Sequence, residues 1–400
     1  MACVQPVYRP RDAEHTVLHQ VISEHLEPFL REAAEAGEGV GLPQFVEREF
    51  REFLTCGAFE HGFARFRCEG CAREHLVPFS CKGRGWCPSC GGRRMTERAA
   101  HLVDEVLPRV PVRQWVLTVP YRLRYLMAWD HGLSRAVLGV YARVLLDLYA
   151  RAARARGIGD ARTGSVTVIQ RSGSGLNLNL HFHTLTLDGV FTKAHSGALK
   201  FHPAPAPRDD EVAEVLTAVR QRIRRLLVRR GLALGDAETG PADRLADEFP
   251  VMAGIASASV QGRVALGPRA GKRVRRLGRE PDVEAVASRG PRQAHLEGFD
   301  VHANVWVAAN DRAGLERLAR YVLRPPLAQD RLRLRDDGRV VLGLKTAWHD
   351  ELPEVVDGAI AGPYSVAEAA DYGLGRIRPL QHDHANEPEH LQSPPGSGGT

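Results

Sequence analysis

The sequence predicts an α+β protein with a compact cysteine-rich domain near its N-terminus. Three observations lead there. Six of the seven cysteines lie between Cys56 and Cys90. Apolar residues recur at helical spacing in some stretches and alternate in others. Two alternating stretches, 331–335 and 339–344, flank Asp336-Asp337-Gly338, the mark of an antiparallel hairpin. The 400 residues, 44% hydrophobic and 26% charged, exclude a wholly disordered or collagen-like chain. No run approaches the roughly 18 apolar residues that span a membrane, and the first residues lack the apolar core of a secretory signal. A cytoplasmic protein is therefore expected.

The elements follow in order. Val17, Leu18, Val21, Ile22 and Leu26 share one helical face, as do Phe45, Phe50, Phe53 and Leu54, with 36–43 as a loop between them. Residues 96–107 read as a short helix leaving the cysteine-rich segment. Trp115 to Val119 reads as a buried strand ended by Pro120. A helix covers about 131–156 and stops at Gly157. Strands follow at 165–170 and 178–187, then an Asp188-Gly189 turn. Residues 203–210 are a linker, and Val212 to Leu227 form an amphipathic helix. Val301 to Ala308 alternates as a strand, and a helix from Asp311 to Leu323 ends before Pro325-Pro326. Beyond about 385 the composition is that of a disordered tail.

Clustered cysteines in a reducing compartment point to metal and away from disulfides. Cys68 and Cys71 are spaced C-x2-C, and Cys87 and Cys90 repeat that spacing after fifteen residues. Four thiolates would complete a tetrahedral Zn2+ with bonds of about 2.3 Å and leave no open position, so the site would be structural. Cys81, His61 and His75 lie close enough to substitute for one ligand, whereas Cys3 and Cys56 read as plain small hydrophobes or free thiols.

His181 and His183 flank Phe182 on a predicted strand, so both imidazoles point to one face and could chelate a divalent ion. Tyr321 sits at the end of the last helix beside Arg317, Arg320 and Arg324. Each signal alone also suits an ordinary structural residue. Basic residues cluster without local acid in two places. One is Val219 to Arg230. The other is Gly262 to Arg279, which contains Arg263, Arg269, Lys272, Arg273, Arg275 and Arg276. Such runs suit a surface that tracks phosphates, and the net charge of +6 is compatible with an anionic polymer.

The strand, the histidine pair and the tyrosine, in that order, resemble the HUH transposases of bacterial insertion sequences, in particular the rolling-circle IS-ninety-one family. The resemblance rests on SCKGRGWCPSC (80–90), WVLTVPYRLRY (115–125) and NLNLHFHTLTLDGVF (177–191). It extends through GRVALGPRAGKRV (262–274) and LERLARYVLRPPLAQDRL (315–332), with LKTAWHD (344–350) a weaker match. It implies a zinc-binding domain followed by an HUH endonuclease domain with a central antiparallel sheet and flanking helices. It further implies that His181 and His183 hold Mg2+ or Mn2+ and that Tyr321 attacks single-stranded DNA to form a 5′-phosphotyrosine. Arg317 and Arg324 join the six basic residues of 263–276 as expected DNA contacts. His302, Gln170 and Gln329 are the candidates for a third metal ligand. Some family members carry a second tyrosine four residues away. Here those positions are Arg317 and Pro325, which resembles the single-tyrosine, common-region-like subgroup.

The expected organisation is a helical segment over 1–55, a zinc domain over 56–100 and a nuclease over 101–350. The nuclease carries a basic, Arg/Gly-rich insertion at about 203–295. A divergent tail follows at 351–400 and departs from the family pattern. The expected partners are single-stranded element ends and target DNA, with no membrane, in a nucleoid-associated bacterial protein. A replication initiator or relaxase of the same chemistry, and a decayed DNA-binding transposase, are the alternatives.

Overall fold

The structure is a computed structural model. It describes residues 12–343, apart from 84, 174, 233–242, 275–289 and 337, and the backbone of 354–355. Helix α1 (Val17–Ala36) begins at Thr16, whose hydroxyl accepts a hydrogen bond from the His19 amide, and buries Leu18, Val21, Ile22, Leu26, Phe29 and Ala33. Helix α2 (Gln44–Leu54) packs Phe50 and Phe53 beside it. Strands β1 (Phe63–Arg67) and β2 (Glu74–Pro78) form an antiparallel hairpin. Helix α3 (Pro88–His101) starts eight residues before the expected 96. Pro88 occupies the first turn, where its missing N–H has no intrahelical partner to lose. A π-turn over Leu102–Val106 closes it.

The centre of the molecule is a five-stranded sheet in the order β4-β5-β3-β9-β8, antiparallel at every pairing. Its strands are β3 (Val112–Thr118), β4 (Ser165–Ser172), β5 (Leu178–Leu187), β8 (Gln293–Leu296) and β9 (Phe299–Val307). Alternation divides the strands between two cores. On one face Trp115, Leu117, Leu180 and Phe182 pack against α5 (His131–Ala155) and α6 (Asp209–Arg229). On the other, Val112, Leu185 and Leu187 pack against Leu315, Leu318 and Val322 of α9 (Arg312–Leu323), with Ala99 and Val103 beside them. The sheet is thus a middle layer, and α9 lies over the face that carries His181 and His183.

A third core joins α1 and α2 to Trp86, to α8 (Pro250–Gln261) and to strands β10 (Leu332–Leu334) and β11 (Val340–Gly343). Strand β12 (Glu354–Val355) extends that small sheet. Strands β6 (Gly189–Lys193) and β7 (Leu199–Pro203) form a separate ribbon, and α7 (Arg244–Glu248) precedes α8.

Three expectations change. Helix α4 (Tyr121–Trp129) follows Pro120 directly, where the sequence suggested only a strand end. Asp188 does lie in the bend between β5 and β6, but not as a solvated turn residue. It is buried and receives both a 3.0 Å and a 2.8 Å hydrogen bond from the Arg113 guanidinium. The basic face of α6 meets acids from elsewhere in the chain: Arg220 and Arg224 pair with Glu297, and Arg222 with Asp147. Much of that charge is locally neutralised. Arg275, Arg276, Arg279, the LKTAWHD stretch and the tail from 356 lie outside the described residues. No described helix is long and apolar enough to cross a membrane.

Candidate active site and zinc centre

Two sites emerge, one made of sulfur and one built around the histidine pair. The sulfur atoms of Cys56, Cys81, Cys87 and Cys90 all lie within 4.8 Å of one another. Individual separations are 3.7 Å for Cys56–Cys87, 3.7 Å for Cys56–Cys90 and 3.5 Å for Cys81–Cys90. A tetrahedral ion with bonds of about 2.3 Å needs sulfurs about 3.8 Å apart, so the cage fits Zn2+. The Gly83 amide donates to Cys81 Sγ. Cys87 caps α3 and Cys90 lies in its first turn, where the helix dipole favours thiolate. Trp86 wedges against Phe53 at 4.5 Å and Phe50 at 5.3 Å, fixing the cage to α2.

This corrects the expected ligand set. Cys68 and Cys71 are exposed at the turn of the β1–β2 hairpin and take no part in the cluster. The stem of the same hairpin draws its two ends together, as the Gly57 amide donates to the Phe79 carbonyl at 2.9 Å. That closure delivers Cys56 and Cys81, one on each side of the stem. A signal was present in the sequence: two cysteines flanking an alternating hairpin.

On the sheet, Thr118 faces His181, Val116 faces His183, and Gln170 of β4 faces His181 on the other side. The imidazole centroids are 4.8 Å apart. His181 Nδ1 donates to the Asn179 carbonyl at 2.6 Å, which leaves the Nε2 lone pair free. Gln114 Nε2 donates to His183 Nδ1 at 2.5 Å, and His183 Nε2 is buried with no partner. Burial, reinforced by nearby arginines, pushes His181 down to about 4. Burial and the neighbouring His181 push His183 down to about 3. Both rings are neutral at physiological pH, the form that ligates metal. His181 Nε2 is a ready ligand, and His183 Nε2 becomes one when the Gln114 carboxamide turns its oxygen to accept from Nδ1–H; the pair then fits a divalent ion.

Tyr321 lies next to them. Its ring centroid is 5.7 Å from that of His183, nearly perpendicular, and the Arg324 guanidinium sits 4.5 Å above the ring. The tyrosine is 44% exposed, so a substrate can reach it. Gln170 fixes the helix end by donating to the carbonyls of Val322 at 2.8 Å and Tyr321 at 3.3 Å. Arg124 and Arg324 act electrostatically on His181, and Arg331 lies close enough to Arg324 to be depressed by it after burial. No motif or spacing pointed to Gln114, Asn179, Arg124 or Arg331.

Among the candidate third ligands, Gln170 and His302 share the sheet face of the pair, with His302 opposite Val116. Gln329 has a buried amide nitrogen without a partner. Arg317 is exposed on α9, 4.0 Å from Asp311. The basic loop after α8 turns back through an Arg263–Arg273 bridge and packs against α1, where the Gly267 backbone hydrogen-bonds Glu32. Arg263 donates to the Gly271 carbonyl, and Arg269 and Lys272 belong to the same loop.

Residues 21–119 match the transposase zinc-binding domain family. Residues 164–355 match the family described as "Putative transposase". No curated protein and no solved structure matches the chain. The cysteine cage and the zinc-binding family together support a structural Zn2+, and the second family supports enzymatic processing of DNA. With both matches, in that order, spanning most of its length, the chain belongs to the IS-ninety-one family of DNA transposases.

Proposed function

We propose that this transposase works by tyrosine attack on single-stranded DNA, in the rolling-circle manner. The carrying observation is the packing of Tyr321 against His183, on the sheet face that also holds His181. The phenolic oxygen of Tyr321 would bond to the scissile phosphorus while the bond to the 3′ oxygen breaks. The phenolic proton leaves, and the departing 3′ oxygen takes one up. The bond energy is kept in a 5′-phosphotyrosine, so no nucleotide is consumed.

A divalent ion, Mg2+ or Mn2+, held by His181 and His183, would withdraw charge from a non-bridging phosphate oxygen. The remaining work falls to the chain. Asn179 and Gln114 fix the ring orientations. Arg324 sets positive charge where the phenolate forms, and Arg124 and Arg331 supply a cationic floor for the phosphate. Arg317 and the loop carrying Arg263, Arg269, Lys272 and Arg273 would track the strand farther out, with Arg275 and Arg276, next in sequence, as further candidate contacts. With Arg317 and Pro325 at the flanking positions, Tyr321 acts alone.

The test is trapping of a covalent adduct on end-labelled single-stranded DNA with Mg2+ or Mn2+. Tyr321→Phe should bind DNA and form no adduct. Adduct from that variant would remove Tyr321 from the mechanism.

A further inference from the structure

A second cavity lies away from the histidine pair, between α2, α4 and α8, with a volume of about 530 Å3. Its apolar walls include Phe45, Trp129 and Phe249. Its polar groups do not satisfy each other. Trp129 Nε1 and Arg171 Nε are both buried without a hydrogen-bond partner. The Arg171 guanidinium donates to the Ala128 carbonyl at 2.9 Å and approaches His131 Nδ1 at 3.5 Å. Among the described residues no carboxylate pairs with it. Burial alone lowers its pKa. A cation removed from water without an anion is costly, so the site asks for an acceptor.

Carboxylates line the same cavity. Burial chiefly raises the pKa of Glu49, and Glu248 lines the cavity as well. Arg48 and Arg244 line the cavity beside these two carboxylates, so it presents donors and acceptors together, and a phosphate would leave the carboxylates and the aromatic walls unused. A nucleobase edge offers donors and acceptors together, and its faces suit aromatic walls. Two strands run from the cavity to the candidate active site, with Leu178 and His181 facing opposite sides of the sheet. Arg171 follows Gln170, which holds the Tyr321 backbone, and Leu178 of the wall precedes His181 by three residues. At about 3.3 Å per strand residue that is roughly 10 Å.

We propose that this cavity receives one unpaired base of the DNA strand being processed, stacked on Trp129 and read by Arg171. Guanine fits the wall best. It presents two acceptors to a guanidinium and a donor edge to a carboxylate. The inference rests on the single-strand reading above, but its test does not require cleavage.

The experiment is calorimetric titration of the full chain with the four 2′-deoxynucleoside 5′-monophosphates, with deoxyribose 5-phosphate and inorganic phosphate as controls. The guanine nucleotide should bind at least about tenfold more tightly than the thymine nucleotide, a difference of about 1.4 kcal/mol. The two controls should not bind. Arg171→Met and Trp129→Leu should each abolish the preference, and Tyr321→Phe should leave it intact. Equal binding of deoxyribose 5-phosphate, binding indifferent to Arg171 and Trp129, or no nucleotide binding at all would overturn the proposal. Base binding by a protein that forms no adduct would instead count against the tyrosine chemistry alone.

Discussion

Gln114 and Asn179 decide what the two histidines can offer: the Asn179 carbonyl holds the His181 proton on Nδ1 and frees Nε2, whereas the Gln114 amide N–H leaves the His183 proton on Nε2 until the carboxamide turns its oxygen to Nδ1. No spacing rule points to them: Asn179 acts through its backbone carbonyl, and Gln114 reaches His183 only because β3 pairs with β5. The same pairing buries an ion pair behind the opposite face. Arg113 clasps Asp188 bidentately, donates to the Ala303 carbonyl, and Asp188 accepts from the Tyr149 hydroxyl, which in turn accepts from Trp115. Both charged side chains are at most 5% exposed. Asp188→Ala leaves a buried guanidinium uncompensated and should lower unfolding stability by about 3–5 kcal/mol in urea titrations. Arg113→Met combined with Asp188→Leu removes both charges and should cost much less. A loss under about 1 kcal/mol for Asp188→Ala would show the pair behaving as a solvent-exposed one.

At the level of elements, the alternation of 178–187 and the helical stripe of 312–323 were legible because each buries a continuous face against one neighbour. Helix α4 was not, because it starts at a proline that also ends a strand, and it is too short to show a period. The zinc ligands were half legible. Cys87 and Cys90 lie on one helix turn and stay together whatever the fold does. Cys68 and Cys71 are equally close in sequence, but the hairpin carries them to its tip while its stem brings in Cys56 and Cys81. The consequence is measurable. Cys56→Ser should strip Zn2+ from the purified protein and reduce amide protection in α1 and α2, whose core includes Cys56, Cys87, Cys90 and Trp86. Cys68→Ser with Cys71→Ser should keep the cage's zinc and that protection. Elemental analysis showing zinc retained in Cys56→Ser would return the hairpin tip to the ligand set.

Across the whole molecule, the zinc cage and the tyrosine are mechanically joined. Helix α3 leaves the cage and packs along α9, and just past the end of α9 Gly91 closely approaches Pro325. Gly91 directly follows the ligand Cys90, and Pro325 lies one residue beyond Arg324, the cation above the Tyr321 ring. A Cβ built on Gly91 would stand 2.8 Å from the Pro325 Cβ, closer than two carbons tolerate, and a proline ring cannot swing aside. Two effects then oppose each other in Gly91→Ala. Helix propensity favours alanine by about 1 kcal/mol, and the clash pushes the end of α9 away from α3. Stability should therefore change little, and the zinc content not at all, because the cage lies on the other side of Cys90. Positioning should suffer more, since a displacement of about 1 Å at a reacting group can cost about a hundredfold in rate. We expect adduct formation to fall by about tenfold or more in Gly91→Ala, with single-strand binding retained. Pro325→Gly removes the opposing Cβ, so adding it to Gly91→Ala should restore part of the rate. If Gly91→Ala cleaves at the unmodified rate, α3 does not set the position of α9, and the zinc cage serves stability alone.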